Sequence, residues 1–163
     1  MLFQATHKTP VGDLFLVSDE HILLAAGFRN FKDLFSRMDS ADRNRDVKTV
    51  KNIPIISELV KDYFDGDLTA LGGIKVRQPG AEFSQEVWKA MRKIAPGKTW
   101  SYSDLAEKAG SPAAVRAAGS ACANNAIMLV VPCHRVVKTG GALGNYAYGV
   151  DKKQWLLSHE GFL

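Results

Sequence analysis

Apolar residues fall in short runs of strand length over the first 28 positions and at helical spacing over most of the second half. Leu14-Phe15-Leu16-Val17 and Ile22-Leu23-Leu24-Ala25 flank Ser18-Asp19-Glu20-His21, which predicts an antiparallel hairpin. An earlier strand over residues 2–6 joins it through a turn at Pro10-Val11-Gly12-Asp13. Residues 36–52 are dense in charge and poor in large apolar side chains, so they read as a helix end and an exposed connector. Ile56, Leu59, Val60, Tyr63 and Phe64 restore the i, i+3, i+4 spacing and predict a helix over residues 53–64, stopped by Asp65-Gly66-Asp67. Residues 68–80, with Gly72, Gly73, Pro79 and Gly80, read as a linker, and the domain boundary is placed there.

Beyond residue 80 the pattern is mostly helical. Phe83, Val87, Met91 and Ile94 share one face of a helix over residues 83–94 that ends before Pro96-Gly97. Ser101 or Ser103 caps the next helix, which carries Leu105, Ala106 and Ala109 and closes at Gly110. Ser111-Pro112 then reads as a cap followed by proline in the first turn of a third helix running to about Ala123. Two short helices about a tight turn make a helix-turn-helix candidate. The fold class is α+β: a small N-terminal α/β domain with a short antiparallel sheet (1–79) and a mostly helical C-terminal domain (80–163).

The third helix has little bulk around Arg116: Ala113, Ala114, Ala117, Ala118, Gly119, Ser120, Ala121 and Ala123 are all small. A helix that reads the major groove projects several polar side chains, and this one projects a single long cation. Close packing on another helix explains the small residues, and so does a smooth face laid against a groove with one arginine as probe; the two are compatible on opposite faces.

Charge sharpens this picture. The net charge is +4. Residues 1–79 hold 11 basic and 11 acidic residues, residues 80–163 hold 10 and 6, so the excess lies wholly in the second half. No carboxylate occurs between Glu107 and Asp151, a stretch that contains Lys108, Arg116, Arg135 and Lys138 and would tolerate a polyanion. No apolar run is long enough to span a bilayer and the first residues lack a secretory pattern, so a cytoplasmic protein is expected, nuclear if from a eukaryote. Cys122 and Cys133 are too few for a disulfide scaffold. The cysteines and His7, His21, His134 and His159 show no metal-ligand spacing, so no metal is expected.

The densest chemical signal is Val130-Val131-Pro132-Cys133-His134-Arg135-Val136-Val137. A thiolate is the reactive form of cysteine, and an imidazole able to take its proton makes it a nucleophile. Neighbours in a strand point to opposite faces, so the pair needs a turn or a bridging water to cooperate. A structural role for Pro-Cys-His fits the residue types equally well.

Pro132-Cys133-His134-Arg135-Val136-Val137, with Asn125 eight residues before the cysteine, resembles the active site of the O6-alkylguanine-DNA alkyltransferases, also called methylated-DNA–protein-cysteine methyltransferases. The resemblance extends through Thr99-Trp100-Ser101-Tyr102-Ser103-Asp104-Leu105-Ala106, Ala114-Val115-Arg116-Ala117-Ala118-Gly119, Gly144-Asn145-Tyr146 and Lys153-Gln154-Trp155-Leu156-Leu157-Ser158-His159-Glu160-Gly161. It covers residues 80–161, whereas the first 79 resemble the family only in length and strand order.

The resemblance implies a role for each position. Cys133 is the alkyl acceptor, His134 the general base acting through a water, and Glu160 the carboxylate that orients it. Asn125 orders the turn beside the cysteine, Tyr102 presses a phosphate and donates towards the base, and Arg116 replaces the extruded nucleotide in the stack. Ser101, Ala114, Ala117, Ala118 and Arg135 join Tyr102 and Arg116 at the DNA, while Val136, Asn145, Tyr146 and Tyr148 line the substrate pocket. The implied reaction is irreversible, single-use transfer of an alkyl group from O6 of guanine, and O4 of thymine, in double-stranded DNA to Cys133. No cofactor is implied, no membrane partner, and a monomer in solution is expected. Ala126 stands where the family commonly has proline, and Tyr148 where many members have glycine. The competing readings are a non-catalytic helix-turn-helix sensor of alkylated bases, which would lack the cysteine, and a cysteine hydrolase, which would turn over without DNA.

Overall fold

A computed structural model describes residues 1–163. The chain divides into two compact units, one of residues 1–79 with 126–130, the other of residues 80–125 with 131–163.

The first unit is built on an antiparallel meander of β1 (Leu2–Thr9), β2 (Gly12–Asp19) and β3 (Ile22–Gly27). The register Thr9↔Gly12 leaves only Pro10-Val11 in the first turn, so β1 runs three residues beyond its expected end at residue 6. Proline presets one turn position, and Gly12 takes a φ of +113° that a side chain would resist. The second turn also shrinks to two residues, Glu20-His21, with Glu20 at φ +52° and a register shift at Val17/Ser18. Leu2, Val17, Leu24 and Ala25 are buried with Leu34 of α1 (Phe31–Ser36) and Met38, forming one apolar cluster of this unit.

Two edge strands depart from the expectation. The charged connector at residues 36–52 contains α2 (Ser40–Arg43) and β4 (Val47–Thr49), and β4 pairs parallel with β1. The expected linker is ordered too: a 3-10 turn at Ala70–Gly73 leads into β5 (Lys75–Val76), parallel to β3. The sheet order is β4-β1-β2-β3-β5. Strands of two or three residues carry no readable alternation, and their partners, not their sequence, define them. The helix expected over residues 53–64 begins later, as α3 (Ile56–Phe64), because Ile55 sits at φ +71°, outside helical space. Ser57 Oγ accepts the Ile53 N–H instead, at 2.7 Å.

The second unit is mostly helical. It comprises α4 (Glu82–Met91), the short strand β6 (Trp100–Ser101), α5 (Tyr102–Lys108), α6 (Val115–Ala123), β7 (Val136–Val137) and α7 (Val150–His159). Ser101 caps α5 with a reciprocal box: its hydroxyl accepts the Asp104 N–H at 3.0 Å, and its own N–H donates to the Asp104 carboxylate at 3.0 Å. Ser111-Pro112 does not open the third helix as expected. It forms a turn closed by Ala114 N–H to Ser111 O, and α6 begins at Val115. Helices α4, α5 and α6 pack together, and the Trp88 indole of α4 donates to Ala121 O of α6 at 2.9 Å. Gly80 permits this arrangement, because a Cβ there would lie 2.5 Å from the Trp88 ring. No helix is long and apolar enough to cross a membrane.

Candidate active site

The Pro-Cys-His segment is neither a strand nor a helix. Cys133 N–H bonds back to Val131 O at 2.9 Å, Arg135 N–H bonds to Pro132 O at 3.0 Å, and Cys133–Arg135 forms one 3-10 turn running into β7. The turn dissolves the strand geometry that would have put Cys133 and His134 on opposite faces. Strand β7 pairs parallel with β6 (Trp100↔Val136, Ser101↔Val137), which brings the start of α5, and so Tyr102, to the residues just after the cysteine.

Cys133 is buried at 7% exposure, and one amide holds it. Asn125 Nδ2 donates to Val131 O at 2.9 Å and to Cys133 Sγ at 3.6 Å. Burial pushes the Cys133 thiol up; the Asn125 amide, the nearby Lys153 ammonium and its own backbone pull the other way. The resting group is therefore a thiol that needs a proton acceptor.

His134, fully buried, is that acceptor's natural candidate. Its Nε2 lies 2.8 Å from Glu160 Oε2, so the carboxylate fixes the proton on Nε2 and leaves Nδ1 as the basic nitrogen. Nδ1 is buried and makes no hydrogen bond within the protein. Burial lowers the imidazole below its ordinary value, Arg135 and Lys153 add to this, and Glu160 opposes it. Burial would raise Glu160, but hydrogen bonds from His134 and Arg135 hold it well below the usual carboxylate range.

Two site residues take positions that the sequence pattern did not give them. Arg135, expected at the DNA, is buried at 6% and its guanidinium is engaged by Glu160 and by Ile94 O, so it belongs to the interior. Ala118, also expected at the DNA, is fully buried with Ala121 and Cys122 on the inner face of α6. Arg116 and Ala117 are exposed on the outer face, and Ala114 is half-buried at the helix start. The small-residue helix thus packs inward on one side and leaves Arg116 exposed on the other. Tyr102, half-buried at the first position of α5, lies near Gly119 of α6 (3.9 Å from a Cβ placed there). Its hydroxyl is raised to about 12, mainly by burial, so it remains a hydrogen-bond donor at neutral pH.

Lys153 is the functional candidate that the pattern concealed. Fully buried, its Nζ donates to Val136 O at 2.6 Å and to Asn145 O at 3.2 Å, joining the turn after the cysteine to the Gly144–Gly149 segment. The signal was its spacing with Leu156, Leu157 and Glu160, which puts a lysine on the inward face of α7. In that segment Asn145 is exposed, and the half-buried Tyr146 and Tyr148 meet edge-to-face with ring centres 6.0 Å apart. Ser101 spends its hydroxyl on the helix cap. Cys122 is buried in α6 with its thiol on Met91 Sδ at 3.6 Å, and burial pushes it far up, an inert setting.

Residues 82–162 match the profile described as 6-O-methylguanine DNA methyltransferase, DNA binding domain. The chain is 38% identical over 166 residues to the methylated-DNA–protein-cysteine methyltransferase of Salmonella typhimurium, spanning 99% of this chain and 97% of that one. Its counterpart in Methanosarcina acetivorans is 34% identical over 160 residues, with 98% and 99% spanned. The crystal structure of the Mycobacterium tuberculosis O6-methylguanine methyltransferase superposes with a TM-score of 0.77 at 29% identity, covering 98% of this chain and 93% of that one. The same organism's OGT in complex with DNA gives 0.79 at 28% identity, covering 97% and 92%. Matches of this extent reach well beyond the cysteine motif into the first 79 residues, and the chain belongs to the methylated-DNA–protein-cysteine methyltransferase family.

Proposed function

We propose that this protein repairs alkylated double-stranded DNA by moving the methyl group from O6 of guanine, and from O4 of thymine, onto Cys133 Sγ, once per molecule. The observation that carries this reading is the buried Asn125–Cys133 contact next to the His134–Glu160 pair, inside the segment matched to the family.

The target oxygen belongs to a paired base, so the nucleotide must leave the stack, at a cost of a few kcal/mol. Arg116, exposed on a face of α6 otherwise made of small side chains, fills the gap, and Ala114 and Ala117 allow that face to approach the minor groove. The carbonyl of Val136 reads the guanine edge with the lone pair that Lys153 leaves open, and Asn145, Tyr146 and Tyr148 line the pocket. The Cys133 proton passes through a water to His134 Nδ1. Sulfur attacks the methyl carbon, the carbon–oxygen bond breaks, and the guanine oxygen takes the electron pair under a hydrogen bond from Tyr102. A thioether has no route back, which makes the reaction stoichiometric. The first unit serves as a structural domain, and the protein acts as a monomer.

Intact-mass measurement after incubation with a duplex containing O6-methylguanine tests the reading. One methyl adduct on Cys133 is expected; repeated turnover by one molecule, or no adduct, overturns it.

A further inference from the structure

Glu160 holds two partners. His134 Nε2 and Arg135 Nη2 both meet Oε2, at 2.8 and 2.9 Å, while Arg135 Nε meets Oε1 at 2.8 Å. The guanidinium thus grips the carboxylate with a two-pronged fork, and its third arm donates to Ile94 O at 2.7 Å, just past α4. All three side chains are buried. A lone carboxylate in this position would drive the imidazole towards its charged form. An imidazolium already carries the proton it is meant to receive.

We propose that Arg135 is a positioning residue for alkyl transfer: by taking both oxygens of Glu160 it divides the carboxylate's charge with His134, so the imidazole is aimed yet stays an empty proton acceptor for Cys133. The inference rests on the reaction proposed above. The charged groups that act on the His134 ring are Glu160 at the end of α7, Lys153 of α7 and Arg135 of its own turn. Burial, Arg135 and Lys153 oppose protonation, and Glu160 favours it. Removing the guanidinium releases the full charge of Glu160 onto the ring while leaving Glu160 and the ring in place. The proton leaving Cys133 Sγ then finds His134 Nδ1 of an imidazolium, which cannot pass it on.

Single-turnover transfer from a methylated duplex is measured between pH 5.5 and 9 for wild type, Arg135→Gln and Arg135→Lys, with NMR titration of His134 in each. Arg135→Gln is expected to raise the His134 titration by about one unit, a tenfold change in its proton equilibrium. Its rate deficit should accordingly be severalfold larger at pH 6 than at pH 8.5. Arg135→Lys, which restores charge without the fork, should return the titration most of the way. A purely structural arginine would lower rate equally at every pH and leave the His134 titration where it was, and that result overturns the proposal. Should Arg135→Gln fail to fold, Arg135→Lys decides. A small upward shift with a loss that grows at low pH supports the proposal, and an unshifted titration with a pH-independent loss overturns it. If wild type forms no adduct on Cys133 the proposed reaction fails, whereas the His134 titrations still report on Arg135 separately.

Discussion

Asn125 donates one amide to two acceptors of the same turn, Val131 O at 2.9 Å and Cys133 Sγ at 3.6 Å. The bond to the carbonyl sets the shape of the turn, and the contact with sulfur favours the thiolate over the thiol. Asn125→Ala should therefore slow alkyl transfer and also destabilise the fold, because a buried carbonyl loses a partner at a cost of about 1–3 kcal/mol. Asn125→Asp keeps the shape but presents a carboxylate oxygen to sulfur, so it should be slower than Asn125→Ala at neutral pH. Equal transfer rates for both variants and wild type would remove the amide from the mechanism.

Cys133 and Cys122 are equally hidden but chemically unlike. Lys153 opposes the upward push of burial on both thiols, but Cys133 also has the Asn125 amide, whereas Cys122 meets Met91 Sδ and is pushed further up by Cys133. Peptide mapping after reaction should place the whole adduct on Cys133, with none in Cys133→Ala and full reaction in Cys122→Ala. Modification of Cys122 counts against the assignment.

Arg116 is exposed on α6, and the proposed reaction uses it to fill the gap left by a flipped nucleotide. Arg116→Ala should slow repair of duplex DNA by about two orders of magnitude, the kinetic equivalent of a few kcal/mol. Reaction with free alkylated guanine needs no flipping and should change little. Parallel losses on both substrates would deny Arg116 this role.

Tyr148 meets Tyr146 edge-on, between Gly144 at φ +77° and Gly149 at φ +103°. A paired ring stiffens a segment whose glycines otherwise let it move aside for large substituents. Wild type should react slowly with O6-benzylguanine, and Tyr148→Gly should gain at least about tenfold on that substrate with methyl transfer nearly unchanged. Rapid benzyl transfer by wild type contradicts the prediction.

Acid should loosen the first unit through Asp42 and Asp19. Hydrogen bonds from Arg77 and Arg45 hold the Asp42 carboxyl below its ordinary value, and Arg45 does the same for Asp19. A depressed carboxyl stabilises the fold above its unfolded value near 4 and loses that contribution as pH falls through its folded value. Asp42→Asn should lower Tm by a few degrees at pH 7 and by less at pH 3, where the unfolded chain already holds the proton and the charge contribution is shrinking towards the lowered folded value. An equal loss at both pH values would assign Asp42 a role in packing rather than charge.

The meander and helices α3, α4 and α5 were legible because their apolar residues keep a period, as in β2 and α4. Strands β4 and β5 were not, since three and two residues carry no period, and both are specified by the neighbour they pair with. At the site, Cys133 and His134 stood out through residue type, and Glu160 only through the resemblance of residues 153–161 to the family. Arg135 did not, because a cation in a basic segment looks like a surface contact until burial shows its charge answered by Glu160. Ala118 failed for a simpler reason: in a helix of small residues, composition is the same on both faces and only packing tells them apart.

Residues 126–130 complete the first unit, although they follow it by nearly fifty positions. Ala26 N–H bonds to Ala126 O, Met128 N–H bonds to Ala26 O, and Ile127 is fully buried. During synthesis the meander therefore emerges with one flank unfilled, and it stays so while α4, α5 and α6 are being translated. The first unit reaches its final form only when the chain is already within three residues of Cys133. A nascent chain halted before residue 126 carries an unsatisfied sheet margin at Ala26, and an excised C-terminal fragment carries the bare apolar plug that belongs there. Division of this gene between residues 79 and 80 would give each half a defect that the other cures.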